Sequence, residues 1–205
     1  MSRLTGIALS LLLPFSVQAG DQRYEPLAAS TRTVMQKAVS DQAIPAREFI
    51  VKAENKQWLI TMSSQLKTII SDPQERNDFL STVHYEATRA GLDPQLVLSV
   101  IQVESGFKKY AVSEAGAHGY MQVMPFWIET IGSNEHNLFH LRVNLRYGCT
   151  ILRHYLDIEK GDYFRALGRY NGSLGQATYP QQVFNAWRDT WTYHAATEPD
   201  SVNDY

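Results

Sequence analysis

The sequence predicts an all-α protein. Three observations carry that expectation. Apolar residues recur at helical spacing through most of the chain, two Asp-Pro pairs mark helix starts, and no run of four or more residues alternates with β-branched enrichment.

The elements follow in order. Residues 1–19 combine Arg3, an apolar stretch at 4–17 that contains Pro14, and Val17-Gln18-Ala19 before Gly20, which reads as a secretory leader cleaved near Ala19. A membrane span needs about 20 apolar residues, more than this run supplies. No cysteine follows the run to take a lipid. An exported, soluble, periplasmic protein is therefore expected. Residues 20–70 are expected as an N-terminal helical extension: 20–44 is a polar, partly helical lead-in closed by Pro45. In 46–70, Phe49, Ile50, Ala53, Leu59, Ile60, Met62, Leu66, Ile69 and Ile70 predict one long amphipathic helix.

Asp72-Pro73 and Asp93-Pro94 each place an acceptor at the cap and a proline at the first helical position, where its missing N–H is harmless. Gly91 supplies the stop between the two helices. Phe79, Leu80, Val83 and Ala87 share one face of the first, and Leu96, Val97, Val100, Ile101 and Val103 make the second a core helix. Beyond Gly106, residues 107–119 have no strong period, helices are expected over 120–131, 142–156 and 162–170, and the polar tail 188–205 is expected to fray.

The bulk numbers set the function classes. A chain of 205 residues, 44% hydrophobic and 20% charged, holds one good core. Nineteen basic against 21 acidic side chains leave a charge of -2, which gives no footprint for nucleic acid or anionic lipid. Cys149 is the only cysteine, so no internal disulfide forms, and its apolar helical setting reads as a buried small hydrophobe rather than a nucleophile. His136 and His140 have the spacing of one helical face, but no glutamate lies between them in the metalloprotease pattern and no third ligand is identifiable. No metal or cofactor is expected.

Glu104 lies three residues after Ile101 and four after Val100, so it shares their buried face, and Gly106 ends the helix just beyond it. Burial and the negative end of the helix dipole both disfavour its ionised form. The result is a carboxylic acid that stays protonated near neutral pH, as a glycosidic proton donor must. A partly exposed glutamate at a frayed helix end is the other reading of this segment.

Three ordered motifs widen the constellation: Glu104-Ser105-Gly106-Phe107; residues 111–125, from Ala111-Val112-Ser113 through Gly119-Tyr120-Met121-Gln122 to Met124-Pro125; and Arg169-Tyr170-Asn171-Gly172. Over residues 71–187 the chain resembles the catalytic domain of the soluble lytic transglycosylases, relatives of goose-type lysozyme. The resemblance implies an all-α, lysozyme-like domain with Glu104 as sole catalytic acid and base. It implies that Ser113 and Gln122 line the cleaved-sugar subsite, with Met124 as the sulfur-containing wall. Tyr170 is implied as the phenol that hydrogen-bonds the catalytic carboxyl, Asn171 as a structural or sugar-contacting amide, and Tyr179 as a later cleft-wall tyrosine. Each has a second reading: Met121, Val123 and Met124 as core, Ser113 as a turn or cap residue, Asn171-Gly172 as a turn. Two positions depart from the family pattern: Tyr120 stands where leucine is usual, and Gly172-Ser173 where Ala-Gly is usual.

The implied reaction breaks the β-1,4 bond between N-acetylmuramic acid and N-acetylglucosamine in peptidoglycan without water. Glu104 protonates the leaving oxygen, then takes the proton of the same sugar's primary hydroxyl as a 1,6-anhydro ring closes. Most glycosidases use two carboxylates. Glu114, Glu129 and Asp157 carry no motif support as a second one. A hydrolytic muramidase of the same fold and a non-catalytic wall-binding scaffold are the alternatives. The expected partner is the peptidoglycan glycan strand, engaged by a monomer, with a cell-envelope secretion or assembly apparatus as a further candidate.

Overall fold

The computed structural model describes residues 22–40 and 53–193, the side chains of Ala53, Glu54 and Asn55 excepted. The expected leader, the first part of the long helix expected over 46–70 and the end of the tail lie outside the described residues.

Eight helices and no strand are found among the described residues: α1 Ala29–Ser40, α2 Ala53–Leu66, α3 Pro73–Arg89, α4 Pro94–Ser105, α5 Phe126–Ile131, α6 Leu141–Ile158, α7 Tyr163–Asn171 and α8 Thr178–Asp189. The all-α expectation holds. Both Asp-Pro starts form as the cap chemistry dictates, with Asp72 accepting from the Glu75 N–H at 2.7 Å and Asp93 from the Gln95 N–H at 2.6 Å. Asp162 caps α7 in the same way, through the Arg165 N–H at 3.0 Å.

Three expectations are corrected. The segment 120–131 is helical only from Phe126, because Gly119 and Gln122 both take positive φ (75° and 47°) and turn the chain before α5 can start. The tail does not fray at residue 188. Helix α8 runs to Asp189, and Trp191 is buried with its indole N–H on Gln102 Oε1 at 2.7 Å. His136 and His140 do not share a helical face: both precede α6, where His140 is the N-cap residue and His136 Nδ1 lies 2.7 Å from the Tyr147 hydroxyl.

One core joins all of this. Met35 and Val39 of α1 and Trp58, Met62 and Leu66 of α2 belong to the same buried cluster as Phe79, Leu80 and Val83 of α3, Val97 to Ile101 of α4 and Leu145, Ile151 and Leu152 of α6. Helices α3 and α6 are also joined by charge. Glu86, with no exposed surface, accepts from Arg146 Nη2 at 2.8 Å and Nε at 3.2 Å, and Arg89 lies 3.6 Å from its second oxygen. Arg89 in turn donates to the Ala38 carbonyl and so ties α1 to the pair. Cys149 is buried in α6, and burial pushes its thiol well above the ordinary range.

Asn144 on α6 anchors the loop between α4 and α5. Its Oδ1 accepts the Met121 N–H at 2.8 Å, and its Nδ2 donates to the His118 and Leu138 carbonyls, each at 2.8 Å. Within itself the loop has no regular secondary structure, only the isolated bridges of His118 with Val112 and Val123 and turn hydrogen bonds. Asn144→Ala leaves the Met121 N–H and the Leu138 carbonyl without partners, at about 1–3 kcal/mol each, while the His118 carbonyl keeps the Val123 N–H. A loss of about 3–5 kcal/mol in urea unfolding is expected, with Asn144→Asp, which keeps only the acceptor, in between. An unchanged midpoint for Asn144→Ala would contradict this role.

Candidate functional site

The site is built at the C-terminal end of α4. Val100, Ile101 and Glu104 face inward together, and Gly106 ends the helix in the left-handed conformation at φ 56°, its N–H on the Gln102 carbonyl at 3.1 Å. Glu104 is 5% exposed. Its Oε1 accepts the Tyr179 hydroxyl at 2.7 Å, while Oε2 is buried with no hydrogen-bond partner. Burial raises its pKa from 4.5 to about 8, and the Tyr179 hydrogen bond opposes that shift in part. No neighbouring carboxylate or cation is among the causes, so the proton is held by desolvation. Burial also holds the Tyr179 and Tyr170 phenols well above their ordinary range, with the Glu104 charge acting in the same direction. Both remain hydrogen-bond donors. Such a carboxyl, protonated at neutral pH with one oxygen unengaged, can give a proton to a basic oxygen placed against it and then accept one back.

The sequence-derived residues are engaged in different ways, and among them only Tyr179 hydrogen-bonds the carboxyl. The phenol that reaches Glu104 is that of Tyr179, not Tyr170 as expected. The Tyr170 hydroxyl donates instead to the Met121 carbonyl at 2.7 Å, because α7 directs it beneath the loop rather than at the carboxyl. Ser105 pins the same loop from the other side, its hydroxyl 2.8 Å from the Tyr120 carbonyl. Gln122 is buried, and its amide nitrogen is engaged by the Gly119 and Ala111 carbonyls at 2.9 and 3.2 Å. Ser113 is half-buried and accepts the Ala117 N–H at 3.0 Å, closing the turn at Gly116. Met124 is half-buried against the core. Asn171 is buried at the end of α7, where Gly172 takes φ 81° and caps the helix. Tyr120 turns inward, its ring 5.1 Å from that of Phe79.

Two contributors were not singled out in the sequence. Asn144 sits at a polar position of a strongly amphipathic helix, and its conflict with burial was the available signal. Gln22 comes from the N-terminal lead-in and carries no sequence signal, yet it is buried against Trp127, with its Oε1 on the indole N–H at 2.9 Å.

Glu104 weakens the fold at alkaline pH. Its folded pKa lies above the ordinary value, so it costs nothing below about pH 4.5, stability falls as pH rises from about 4.5 to about 8, and the loss is complete above that. Glu104→Gln removes that cost, which is about 1.4 kcal/mol for each pKa unit. The variant is therefore expected to melt close to wild type at pH 4 and above it at pH 8 to 9, as read by thermal unfolding across that range. Parallel melting curves at both ends would contradict an abnormally protonated Glu104.

The geometry agrees with what the chain is similar to. The sequence profile described as "Transglycosylase SLT domain" matches residues 81–189, just over half of the chain. A transglycosylase of Enterobacteria phage PRD1 is 35% identical over 98 residues, which are 48% of this chain and 36% of that protein. Membrane-bound lytic murein transglycosylase C of Actinobacillus pleuropneumoniae is 49% identical over 47 residues, 23% of this chain and 13% of the relative. The matches thus span well under half the length of these relatives. The X-ray structure of an inactive mutant of lytic transglycosylase Slt from Pseudomonas aeruginosa aligns with a TM-score of 0.44 at 22% identity, covering 78% of this chain and 29% of that one. By the extent of the profile match, the chain belongs to the transglycosylase SLT domain family.

Proposed function

We propose that the protein is a peptidoglycan lytic transglycosylase that cleaves the MurNAc–GlcNAc β-1,4 bond and leaves a 1,6-anhydro-MurNAc end. The observation that carries this reading is the state of Glu104: buried, protonated up to about pH 8, hydrogen-bonded on Oε1 by Tyr179 and without a partner on Oε2. Glu104 Oε2–H protonates the oxygen leaving the anomeric carbon. The oxocarbenium-like centre is stabilised by the neighbouring acetamido group, and the Glu104 carboxylate then removes the proton of the C6 hydroxyl as that oxygen closes the ring. Atoms balance without water.

The absence of any carboxylate among the causes of the Glu104 shift supports a nucleophile supplied by the substrate. The two-carboxylate routes need a second acid close by, about 5–10 Å away. Glu114, Glu129 and Asp157 are all exposed. Tyr179 orients the carboxyl. Ser105, Gln122 and Tyr170 hold the loop that forms the wall beside it, and Ser113, Met124 and Asn171 complete the surroundings in which the sugar is seated. The similarity to murein transglycosylases supports peptidoglycan as the substrate, and the phage relative supports a setting in which the wall is opened locally.

Mass spectrometry of the soluble products released from sacculi tests the reading. Anhydro-muropeptides are expected from wild type and none from Glu104→Gln; reducing ends would convert the reading to a hydrolytic muramidase. The two tyrosines separate on pH profiles. Tyr179→Phe removes a bond that stabilises the carboxylate, so the alkaline limb of kcat/KM moves above about pH 8 while kcat falls about 10²-fold. Tyr170→Phe leaves the Met121 carbonyl without its donor and costs about 1–3 kcal/mol of stability, with the limb in place. A limb that moves in Tyr170→Phe and not in Tyr179→Phe would reverse the assignment.

A further inference from the structure

We propose that Gln22 is a positioning residue for the Glu104 site, the end of an N-terminal strap that holds the loop 121–124 and Tyr170 in place. The proposal rests on the transglycosylase reading for its activity measurement, and it extends the working site beyond residues 81–189, the segment that the family profile matches.

The strap reaches three elements around the site. The Gln22 side chain, 4% exposed, accepts the Trp127 indole N–H at 2.9 Å and the Met124 N–H at 3.5 Å, and donates to the Gln122 carbonyl at 3.5 Å. It also lies close enough to the Tyr170 phenol to offset part of the upward shift that burial gives it. Two residues on, the Tyr24 ring meets Phe126 of α5 edge to face, with centroids 5.7 Å apart. Glu25 pairs with Arg169 of α7 at 3.3 Å, and Leu27 packs against the core. A buried carboxamide is costly unless it is hydrogen-bonded, and here both ends of the amide are engaged.

What the strap grips is the least self-sufficient part of the site. Gln122 is a non-glycine residue at φ 47°, a conformation that persists only where its surroundings over-determine it. Its side chain is tied at Ala111 and Gly119, and its carbonyl is the acceptor for Gln22. Tyr170, the other Gln22 contact, carries the Met121 carbonyl one residue earlier. Gln22 therefore ties the Gln122 carbonyl and the Met124 N–H of the loop to Trp127 of α5, with Tyr170 close by. A displacement of about 1 Å near a reacting centre can cost on the order of 10²-fold in rate.

The test uses the full chain with Gln22→Met, which keeps the volume and deletes every hydrogen bond of the amide. Turnover of soluble glycan strands is measured together with the indole N–H resonances of the four tryptophans, Trp127 being assigned through Trp127→Phe. The expected result is a kcat reduced about tenfold with KM within about twofold. The Trp127 indole signal shifts, and those of Trp58, Trp187 and Trp191 stay in place. Unchanged kcat, an unmoved Trp127 signal, or displacement of all four signals in a protein that has lost its fold each overturns the proposal for that variant. Gln22→Glu is the second variant: it keeps the indole acceptor and the volume but loses the donor to the Gln122 carbonyl, and intermediate turnover is expected. Turnover equal to wild type in Gln22→Glu and Gln22→Met alike overturns the proposal outright. The two readings fail separately, since a wild type that releases no product removes the function, whereas an active wild type matched by Gln22→Met removes only the strap.

Discussion

The carboxamide of Asn144 holds the loop beneath Glu104, and the loop accepts it only because glycine stands at the point of contact. A Cβ at Gly119 would lie 2.5 Å from Asn144 Nδ2 and 2.6 Å from the Leu138 carbonyl oxygen, and φ there is 75°. One turn further along α6, Gly148 leaves room for Met121, whose sulfur would stand 2.4 Å from a Cβ. Asn144 and Gly148 thus form a socket on one helix face, with hydrogen bonds on one side and space on the other. Met121 is the plug: its N–H is on Asn144, its side chain is over Gly148, and its carbonyl is on Tyr170. With Met121 fixed on three sides, the neighbouring Tyr120 carbonyl is in place to receive Ser105, the residue next to Glu104.

Two buried glutamates illustrate how the same chemistry is resolved in opposite ways. Glu86 is fully enclosed, and Arg146 meets it with two donors while Arg89 lies near its other oxygen, so its charge is compensated where it stands. Its position between Val83 and Ala87 on the apolar face of α3 signals a buried acid, and Arg146 on α6 answers it. Glu104 has no such partner, only a neutral phenol on one oxygen. Desolvation then acts unopposed by any cation, and the proton remains. A cation beside Glu104 would hold the carboxyl ionised and so remove the acid.

The legible parts of the sequence were those where one residue type has one local reason. An aspartate before a proline caps a helix wherever it stands, and a glutamate on the face of Val100 and Ile101 must be buried if that face is. Partnership across the chain is a different matter. Tyr170 and Tyr179 are both buried tyrosines near the acid, and nothing in their local sequence says which hydroxyl reaches it. That depends on the turn at 172–177, which carries the chain from α7 into α8. The stretch from Tyr120 to Met124 reads as helix for a related reason. Its burial comes from being packed under α6 and α7, which produces the same apolar run as a helix does, and the positive φ of Gln122 belongs to a residue that ordinarily avoids it. Trp191 and Gln22 lie near the two ends of the described chain, where polar surroundings suggest fraying, and both are held by partners about 90 or more residues away in sequence.

On the proposed route, one carboxyl must serve first as acid and then as base, and its pKa bears on both steps. An ordinary glutamate at pH 7 is almost wholly ionised and offers its proton in well under one molecule in a hundred. A pKa of about 8 makes the protonated form the majority at pH 7. It also makes the carboxylate left behind a stronger base than an exposed one, by the same free energy that held the proton. Burial therefore assists both halves of the reaction, provided that water does not enter between them. On the same proposed route, the exclusion of water also bears on the product. Once the C6 hydroxyl of the substrate lies against Oε2, intramolecular attack carries an effective molarity of about 10⁵–10⁸ M against roughly 55 M for bulk water. The packing that raises the pKa is then the same packing that keeps the ring closure ahead of hydrolysis, so any change that wets Glu104 lowers the pKa and the anhydro yield together.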